Sequence, residues 1–239
     1  NGVRTSARRG YLAPTADMRR AADAAAGAPA RAEAPVGLTN ALGALGRLRD
    51  EATLFGAGSV VGGGLEVVVE IASRQSGAAQ WAKGGAVAVQ VSDASGRKTD
   101  AAGAIDAGTR STVVRVPLDP GAKGPWTVFA RVSAAGESLE QSFEVGPEPA
   151  GLVGEGQVFR ATPSPRSPVR PGADRQFRRT ERLHVEWPLR EATPDRTGRL
   201  LNARGEALAL PIVVTERADQ AGLRLVVDLV LTPLSEGDY

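Results

Sequence analysis

The sequence predicts a mainly β protein with tandem immunoglobulin-like β-sandwiches, preceded by an N-terminal α-helical segment. From Leu65 onward, short runs alternate apolar and polar residues, the pattern of strands buried on one face. Turns rich in glycine and proline separate these runs, with no helical periodicity between them, which is typical of all-β sandwiches. The residues before Gly56 differ, because helix formers and helically spaced leucines dominate there.

The composition of the 239 residues excludes several kinds of site. Cysteine is absent and His184 is the only histidine, so disulfides, thiolate metal sites and two-histidine metal sites are impossible. The net charge is only +2, and no part of the chain has the strong positive balance of a nucleic-acid-binding protein. No apolar run reaches about 18 residues, the length that a transmembrane helix needs. We therefore expect no cofactor, no metal, no nucleic-acid partner and no membrane span.

The first 58 residues predict two segments. Residues 1–14 are expected to be an extended strand that ends an upstream domain absent from this chain, and residues 15–58 a helical linker. One helix is predicted from Ala16 to Ala26, and a second from about Thr39 to Leu54, where four leucines share one helical face. The glycine-rich run from Gly56 to Gly62 superficially resembles a dinucleotide loop. That loop must follow a strand and open a helix, so a flexible helix-to-strand connector is the preferred interpretation.

Residues 59–146 are predicted to form the first sandwich. A turn is expected at 93–96, because aspartate favours the first position of a turn and glycine a later one. The predicted strands centre on five runs: 65–71, 87–91, 114–118, 126–132 and 139–145.

Residues 147–176 predict a connector rich in proline and arginine, most of which cannot join a sheet because proline lacks an N–H. Residues 177–239 predict a second sandwich. The expected strands are 157–161 inside the connector, then 183–187, 208–215 and 223–231, with a strand and turn over 200–205.

The end of the chain repeats a pattern from the first sandwich. A strand, a leucine, a glycine and then an aromatic residue lead to Trp126, and the same order leads to Tyr239, resembling the corner of immunoglobulin-like sandwiches. The second sandwich is therefore expected to be truncated, with its missing strand in a longer protein or supplied by a partner chain.

Three segments resemble bacterial VWFA-related domain proteins. Residues 7–14, ARRGYLAP, resemble the segment that closes the von Willebrand factor A domain. Residues 177–186 and 231–239 are similar to parts of the β-rich region that follows that domain. The resemblance implies an upstream A domain in the same polypeptide and an extracytoplasmic location, periplasmic or secreted. The family's metal motif is not matched, since 93–97 reads Asp-Ala-Ser-Gly-Arg and lacks the final serine.

Two sets of titratable residues lie on predicted strands. His184 alternates with Leu183 and Val185, so it is expected on the opposite face, at the strand surface. The acidic pairs Glu66/Glu70 and Glu137/Glu140/Glu144 are expected on solvated faces. No nucleophile motif accompanies the histidine, so no catalytic residue is predicted.

The candidate partner site is a cluster of arginines that begins at Arg160. Arginine forks suit bidentate contacts with carboxylate, sulfate or phosphate groups. The preferred interpretation is nevertheless a solvated linker whose arginines pair with the acidic region before it. The candidate binding residues are Arg166, Arg170, Arg175, Arg178, Arg179 and Arg182.

These observations favour a non-catalytic interaction or spacer region of an exported bacterial VWFA-related protein. Its partner would be a protein or an anionic surface. The alternative function is a ligand-binding β-sandwich, which takes an anionic glycan or an acidic protein through the arginine strip.

Overall fold

Twelve β-strands in three antiparallel sheets make up most of the described chain, which confirms a mainly β protein. The computed structural model describes residues 51–164, 167–193, 196–202, 204–219 and 222–234. The predictions for 1–50, an extended strand and two helices, lie outside these residues. The strands are β1 (Leu54–Val61), β2 (Gly64–Ile71), β3 (Gly85–Ser92), β4 (Lys98–Ile105), β5 (Ser111–Pro117), β6 (Trp126–Ala134), β7 (Glu137–Val145), β8 (Gln157–Ala161), β9 (Arg170–Gly172), β10 (Arg182–Leu189), β11 (Val214–Asp219) and β12 (Gly222–Val230).

The first seven strands form a β-sandwich. Its sheets have the orders β1-β2-β5 and β4-β3-β6-β7, and the chain crosses between them after β2, β4 and β5. Alternating valines point inward from both sheets, because successive side chains of a strand point to opposite faces. The shared core also takes in two tryptophans, Trp81 from the short 3₁₀ helix Ala79–Trp81 and Trp126 at the start of β6. A single helical turn, α1 (Ser73–Ser76), precedes that 3₁₀ helix.

The glycine-rich run from Gly56 is a strand, so the predicted flexible connector is wrong. Gly56 and Gly58 lie in β1, where a Cβ on Gly56 would overlap the Phe143 ring of β7, and one on Gly58 would lie 2.5 Å from Val145. Their small size lets the edge strands β1 and β7 approach. Gly62 and Gly63 form the two-residue turn to β2 at φ +58° and +78°, values that favour glycine.

Several boundaries of the sequence prediction differ from the structure. The second helix cannot reach Leu54, because that residue opens β1. β4 was not predicted, since its alanines and glycine show no alternation and its place is set by pairing with β3 along its whole length. The strand expected over 208–215 begins only at Val214. Of the strand and turn expected over 200–205, the strand is reduced to an isolated bridge, while the Gly205 N–H donates to the Asn202 carbonyl in the turn. Pro211 lacks an N–H, which is consistent with the late start of β11.

The expected turn at 93–96 is present between β3 and β4. The Asp93 carboxylate accepts hydrogen bonds from the backbone N–H groups of Ser95 and Arg97. It also accepts from the Ser95 hydroxyl and forms an ion pair with the Arg97 guanidinium. The Ser95 hydroxyl and the Arg97 guanidinium lower the pKa of Asp93 to about 2. This carboxylate therefore has a structural role in the hairpin.

The third sheet has five strands in the order β11-β12-β10-β8-β9. β9 lies in the proline-rich connector and pairs only with β8, which fits the restriction of proline to sheet edges. The described residues from 157 to 230 form this one sheet, so a second sandwich is not confirmed. Side chains of β8 contact the face of β2 that points away from the sandwich core. Every residue of β2 after Gly64 is consequently buried.

Within the part of the chain that the structure describes, no helix has the length and apolar character to cross a membrane.

Candidate functional site

The junction between the sandwich and the five-stranded sheet contains most of the buried charged residues. Glu66 and Glu70 of β2 are 7% and 0% exposed, so the prediction that they lie on a solvated face is wrong. The alternation placed them correctly on the face opposite the valine core, but the third sheet covers that face. Two clusters of polar side chains occupy this junction.

Glu70 is the centre of the first cluster, which we call the Glu70 cluster: Glu70, Arg110, Arg160, Asp174 and Glu181. One carboxylate oxygen of Glu70 accepts from Arg110 Nη2 at 2.9 Å and from Arg160 Nε at 3.0 Å. The other accepts from the backbone N–H groups of Ala173 and Asp174, at 2.6 and 2.7 Å. Glu70 thereby connects the loop before β5, strand β8 and the segment after β9.

Arg160 completes the Glu70 cluster from β8. Its side chain is 8% exposed and donates to the carbonyls of Asp174 and Gln176 as well as to Glu181. Its guanidinium carbon lies 4.1 Å from the centre of the Phe177 ring, within the range of a cation–π interaction. Arg160 thus pairs with the acidic region before the connector, as one interpretation of the arginine cluster predicts.

The second cluster begins at Glu66 and crosses to the middle of the five-stranded sheet. Gln157 of β8 donates to Glu66 at 2.6 Å and to the Ser59 hydroxyl at 2.7 Å. Arg224 of β12 donates to the side-chain oxygen Oε1 of Gln157 at 3.1 Å and lies 3.4 Å from a carboxylate oxygen of Glu186. This chain of contacts joins the sandwich to His184. The polar side chains that surround His184 in the third sheet are called the His184 cluster: Gln157, His184, Glu186, Arg224 and Asp228.

His184 is 5% exposed, so the prediction of a strand-surface histidine is wrong. Its Nε2 lies 2.8 Å from Glu186 and its Nδ1 lies 3.0 Å from Asp228, while Phe159 contacts the ring edge-on. His184 and Glu186 are buried, whereas Leu183, Val185 and Trp187 on the other face of β10 are only partly buried. The alternation correctly separated the two faces, but the polar one is the more enclosed.

The two carboxylates favour the charged form of His184 in spite of its burial. Burial lowers the pKa of His184, but hydrogen bonds with Glu186 and Asp228 and their negative charges outweigh it, so the pKa is raised above its ordinary 6.5. Burial raises the pKa of Glu186, yet the hydrogen bond from His184 and the charges of Arg217, His184 and Arg224 bring it below its ordinary 4.5. Both ring nitrogens contact carboxylates, and this arrangement favours the protonated ring.

We expect the stability of the protein to depend on pH through His184. A raised folded pKa contributes stability below about pH 6.5, and this contribution is lost as the pH rises through the folded value. Glu186 contributes above about pH 4.5 and loses its effect as the pH falls through its lowered value. Because the chain has one histidine, NMR titration of the untagged protein reports the pKa of His184 without assignment.

The control for this prediction is His184→Gln, which keeps a polar side chain without the titrating charge. Urea unfolding of the variant and the parent is measured from pH 5 to 9. At pH 6 the variant should have the lower free energy of unfolding. Above neutrality the free energy of unfolding should decline less in the variant than in the parent. A parent titration midpoint below 6.5 would contradict the proposed charged state.

A groove of about 950 Å³ opens beside the Glu70 cluster. It lies between the segment that follows β2, the turn before β5 and the stretch from β8 to residue 181. Serine and threonine hydroxyls come from all three segments, and Phe177 adds an aromatic side chain. Among the described residues, its lining includes the arginines Arg110, Arg160, Arg170 and Arg178 and the carboxylates Asp174 and Glu181.

The structure separates the arginines of the predicted strip. Arg170 and Arg178 line the groove, whereas Arg175 is exposed outside its lining. Arg179 donates to the Thr232 carbonyl at 2.7 Å, and Arg182 pairs with Asp228 at 3.0 Å. Arg166 lies outside the described residues. The structure therefore brings two members of the strip together with Arg110 and Arg160.

The sequence analysis missed the central residues of both clusters, Glu70 and Glu186. One signal was available for Glu70. Val68 lies between Glu66 and Glu70 on the outer face of β2, and an apolar residue there is consistent with burial on both faces. Glu186 had no comparable signal, because its buried partner Arg224 is 38 positions away and becomes its neighbour only through the pairing of β10 with β12.

No group of three or more histidine, aspartate or glutamate side chains in the described residues has the geometry to hold a metal ion. Comparison with protein-family models, with curated proteins and with solved structures finds no match. The resemblance to VWFA-related proteins stays a prediction from the three sequence segments that carry it.

Proposed function

We propose that this chain is a non-catalytic interaction or spacer region of an exported bacterial VWFA-related protein. In this proposal the first sandwich is immunoglobulin-like, and the five-stranded sheet is part of a second sandwich. Support for the first comes from its arrangement of three strands against four with repeated crossovers between the sheets. The extracytoplasmic location rests on the sequence resemblance alone.

The observation that carries the proposal is the buried ionic junction between the two β regions. Separating a buried ion pair leaves unpaired charges in a low-dielectric environment, which is strongly unfavourable. The Glu70–Arg160 pair and the Gln157–Glu66 hydrogen bond therefore oppose relative movement of the sandwich and the third sheet. A fixed arrangement suits a region that separates domains or presents a binding surface.

Distance measurements between spin labels test this rigidity. The chain has no cysteine, so Ser142→Cys on β7 and Ala218→Cys on β11 introduce the only two labelling sites, both at exposed positions. We expect one narrow distance distribution. Adding Arg160→Met should broaden it, while Arg131→Met, at an exposed pair on the outer sheet, should leave it unchanged. A broad distribution in the otherwise unsubstituted chain would contradict the proposal.

The non-catalytic part has a separate test. Hydrolase or transferase turnover that the purified chain supports and that His184→Gln abolishes, with the fold retained by circular dichroism, would reject it.

A groove that contains two of the predicted arginines supports the alternative proposal, binding of an anionic ligand. The strip is not continuous in the structure, but Arg170 and Arg178 face one groove together with Arg110.

A further inference from the structure

We infer that the groove beside the Glu70 cluster binds an acidic oligosaccharide, a few sugar units that carry carboxylate or sulfate groups. The inference rests on the proposed interaction role and names the ligand class and the residues. It is argued from the charge of the groove, its hydroxyl groups and the form of its nearest sheet edge.

The positive charge of the groove is only partly neutralised by the protein. Glu181 accepts from Arg160 and from the backbone N–H of Arg178, and Asp174 lies 3.9 Å from Arg160. Both carboxylates are thus engaged within the Glu70 cluster. Glu70 also pairs with Arg110 and Arg160, so three carboxylates oppose the four arginines of the lining. One positive charge remains on the side of Arg170 and Arg178, which favours an anion there.

Arg170 and Arg178 retain donors for a ligand. Among the residues that the structure describes, no hydrogen-bond partner contacts the Arg178 guanidinium. Arg170 uses one guanidinium nitrogen, which donates to the Gly108 carbonyl at 3.1 Å. An arginine has five N–H donors in a planar fork that matches carboxylate and sulfate oxygens. Both side chains are exposed, so a ligand can reach them.

Arg110 is held differently, by its ion pair with Glu70. Its side chain is 22% exposed and Nη2 lies 2.9 Å from the Glu70 carboxylate, so the side chain is fixed at the wall of the groove. A fixed cation loses little conformational freedom on binding, which favours affinity. Glu70 is therefore a positioning residue for this site.

The hydroxyl groups favour a sugar over other anions. Thr109 and Ser111 come from one side of the groove and Thr180 from the other. A hydroxyl both donates and accepts hydrogen bonds, which matches the hydroxyls of a sugar ring. A volume of about 950 Å³ is at the upper end for small-molecule sites, consistent with several sugar units.

An acidic peptide fits this groove less well. Extended peptides commonly bind by pairing with an open sheet edge. The edge strand that reaches the groove is β9, which has three residues and includes Pro171, so it offers little for a peptide strand to pair with.

Calorimetric titration of the full chain with three sugar probes, and with hexaglutamate as an acidic peptide, tests the inference. Trigalacturonate carries carboxylates, a heparin-derived tetrasaccharide carries sulfates as well, and maltotriose is the uncharged control. At 20 mM salt we expect binding of at least one acidic sugar and none of maltotriose, with affinity falling at 150 mM salt. Binding of trigalacturonate identifies carboxylate as sufficient, and binding of the heparin fragment alone identifies sulfate.

Matched arginine variants locate the site. Arg170→Gln and Arg178→Gln should each lower the affinity about tenfold, the effect of losing one charged hydrogen bond. Arg175→Gln, an exposed neighbour outside the groove lining, should change it less than about twofold. Equal losses in all three variants, no binding of either acidic sugar, or tighter binding of hexaglutamate would overturn the inference.

The failure of this inference is distinguishable from failure of the proposed function. Spin-label distances and unfolding midpoints of the arginine variants should match those of the parent, because both substituted side chains are exposed. A rigid chain that binds no acidic sugar rejects the groove assignment and leaves the spacer proposal standing.

Discussion

Replacing Glu70 with leucine is expected to lower the free energy of unfolding by about 3–5 kcal/mol. The carboxylate is 0% exposed and accepts from two guanidinium groups and two backbone N–H groups. Leucine supplies none of these acceptors, so Arg160 would stay buried with its charge uncompensated by Glu70. Urea unfolding followed by the fluorescence of the three tryptophans measures the loss.

A double-mutant cycle separates the ion pair from simple loss of packing. Arg160→Met alone should also be strongly destabilising, whereas Glu70→Leu with Arg160→Met should lose less than the sum of the two. The exposed pair of Arg131 and Glu140 is the control, and its cycle should give no more than about 1 kcal/mol. Additive losses at Glu70 and Arg160 would contradict the role assigned to the pair. If Glu70→Leu does not fold, Glu70→Gln keeps one acceptor and serves as the milder variant.

Glu186→Leu is the second substitution with a large expected effect, again about 3–5 kcal/mol. Glu186 is 4% exposed and lies against His184, Arg217 and Arg224, of which Arg224 is 5% exposed. Removal of the carboxylate takes away one charged partner of the buried Arg224 guanidinium. Trp187, the next residue of β10, reports the unfolding of the five-stranded sheet.

Two further measurements make this prediction specific. Because the hydrogen bond and charge of Glu186 raise the pKa of His184, the NMR titration midpoint of His184 should fall in Glu186→Leu. Glu148→Leu is the matched control, since Glu148 pairs with Arg190 at the surface and both side chains are about half exposed. An unchanged His184 midpoint, or equal destabilisation in Glu148→Leu, would show that the cluster is not coupled as the geometry indicates.

Most strands of the sandwich were predictable because their residues carry the pattern themselves. In β3 and β6, valines and other apolar residues alternate with polar or small ones, and this alternation is enough to place each strand and its buried face. β1 and β4 were not predictable, since their glycines and alanines give no alternation of apolar and polar residues. Gly103 of β4 lies close to Val114 of β5, and a Cβ on this glycine would lie only 2.9 Å from the Val114 side chain.

The candidate site was less predictable than the fold. The arginine cluster drew attention to the right part of the chain, yet Arg110 joins the groove from a position 60 residues before Arg170. The burial of His184 and Glu186 was also invisible, because alternation assigns residues to faces and does not say which face another layer will cover.

The sequence by itself determined the β class, the turns and the faces of most strands, since these depend on the period of side chains along one strand. Only the tertiary structure decided that the third sheet lies on β2. That packing buries Glu66 and Glu70 in an ionic junction, where each charge needs a partner from a distant segment. These partners are distant in the sequence and become neighbours only when the sheets pack together. A local pattern of residues does not specify that packing.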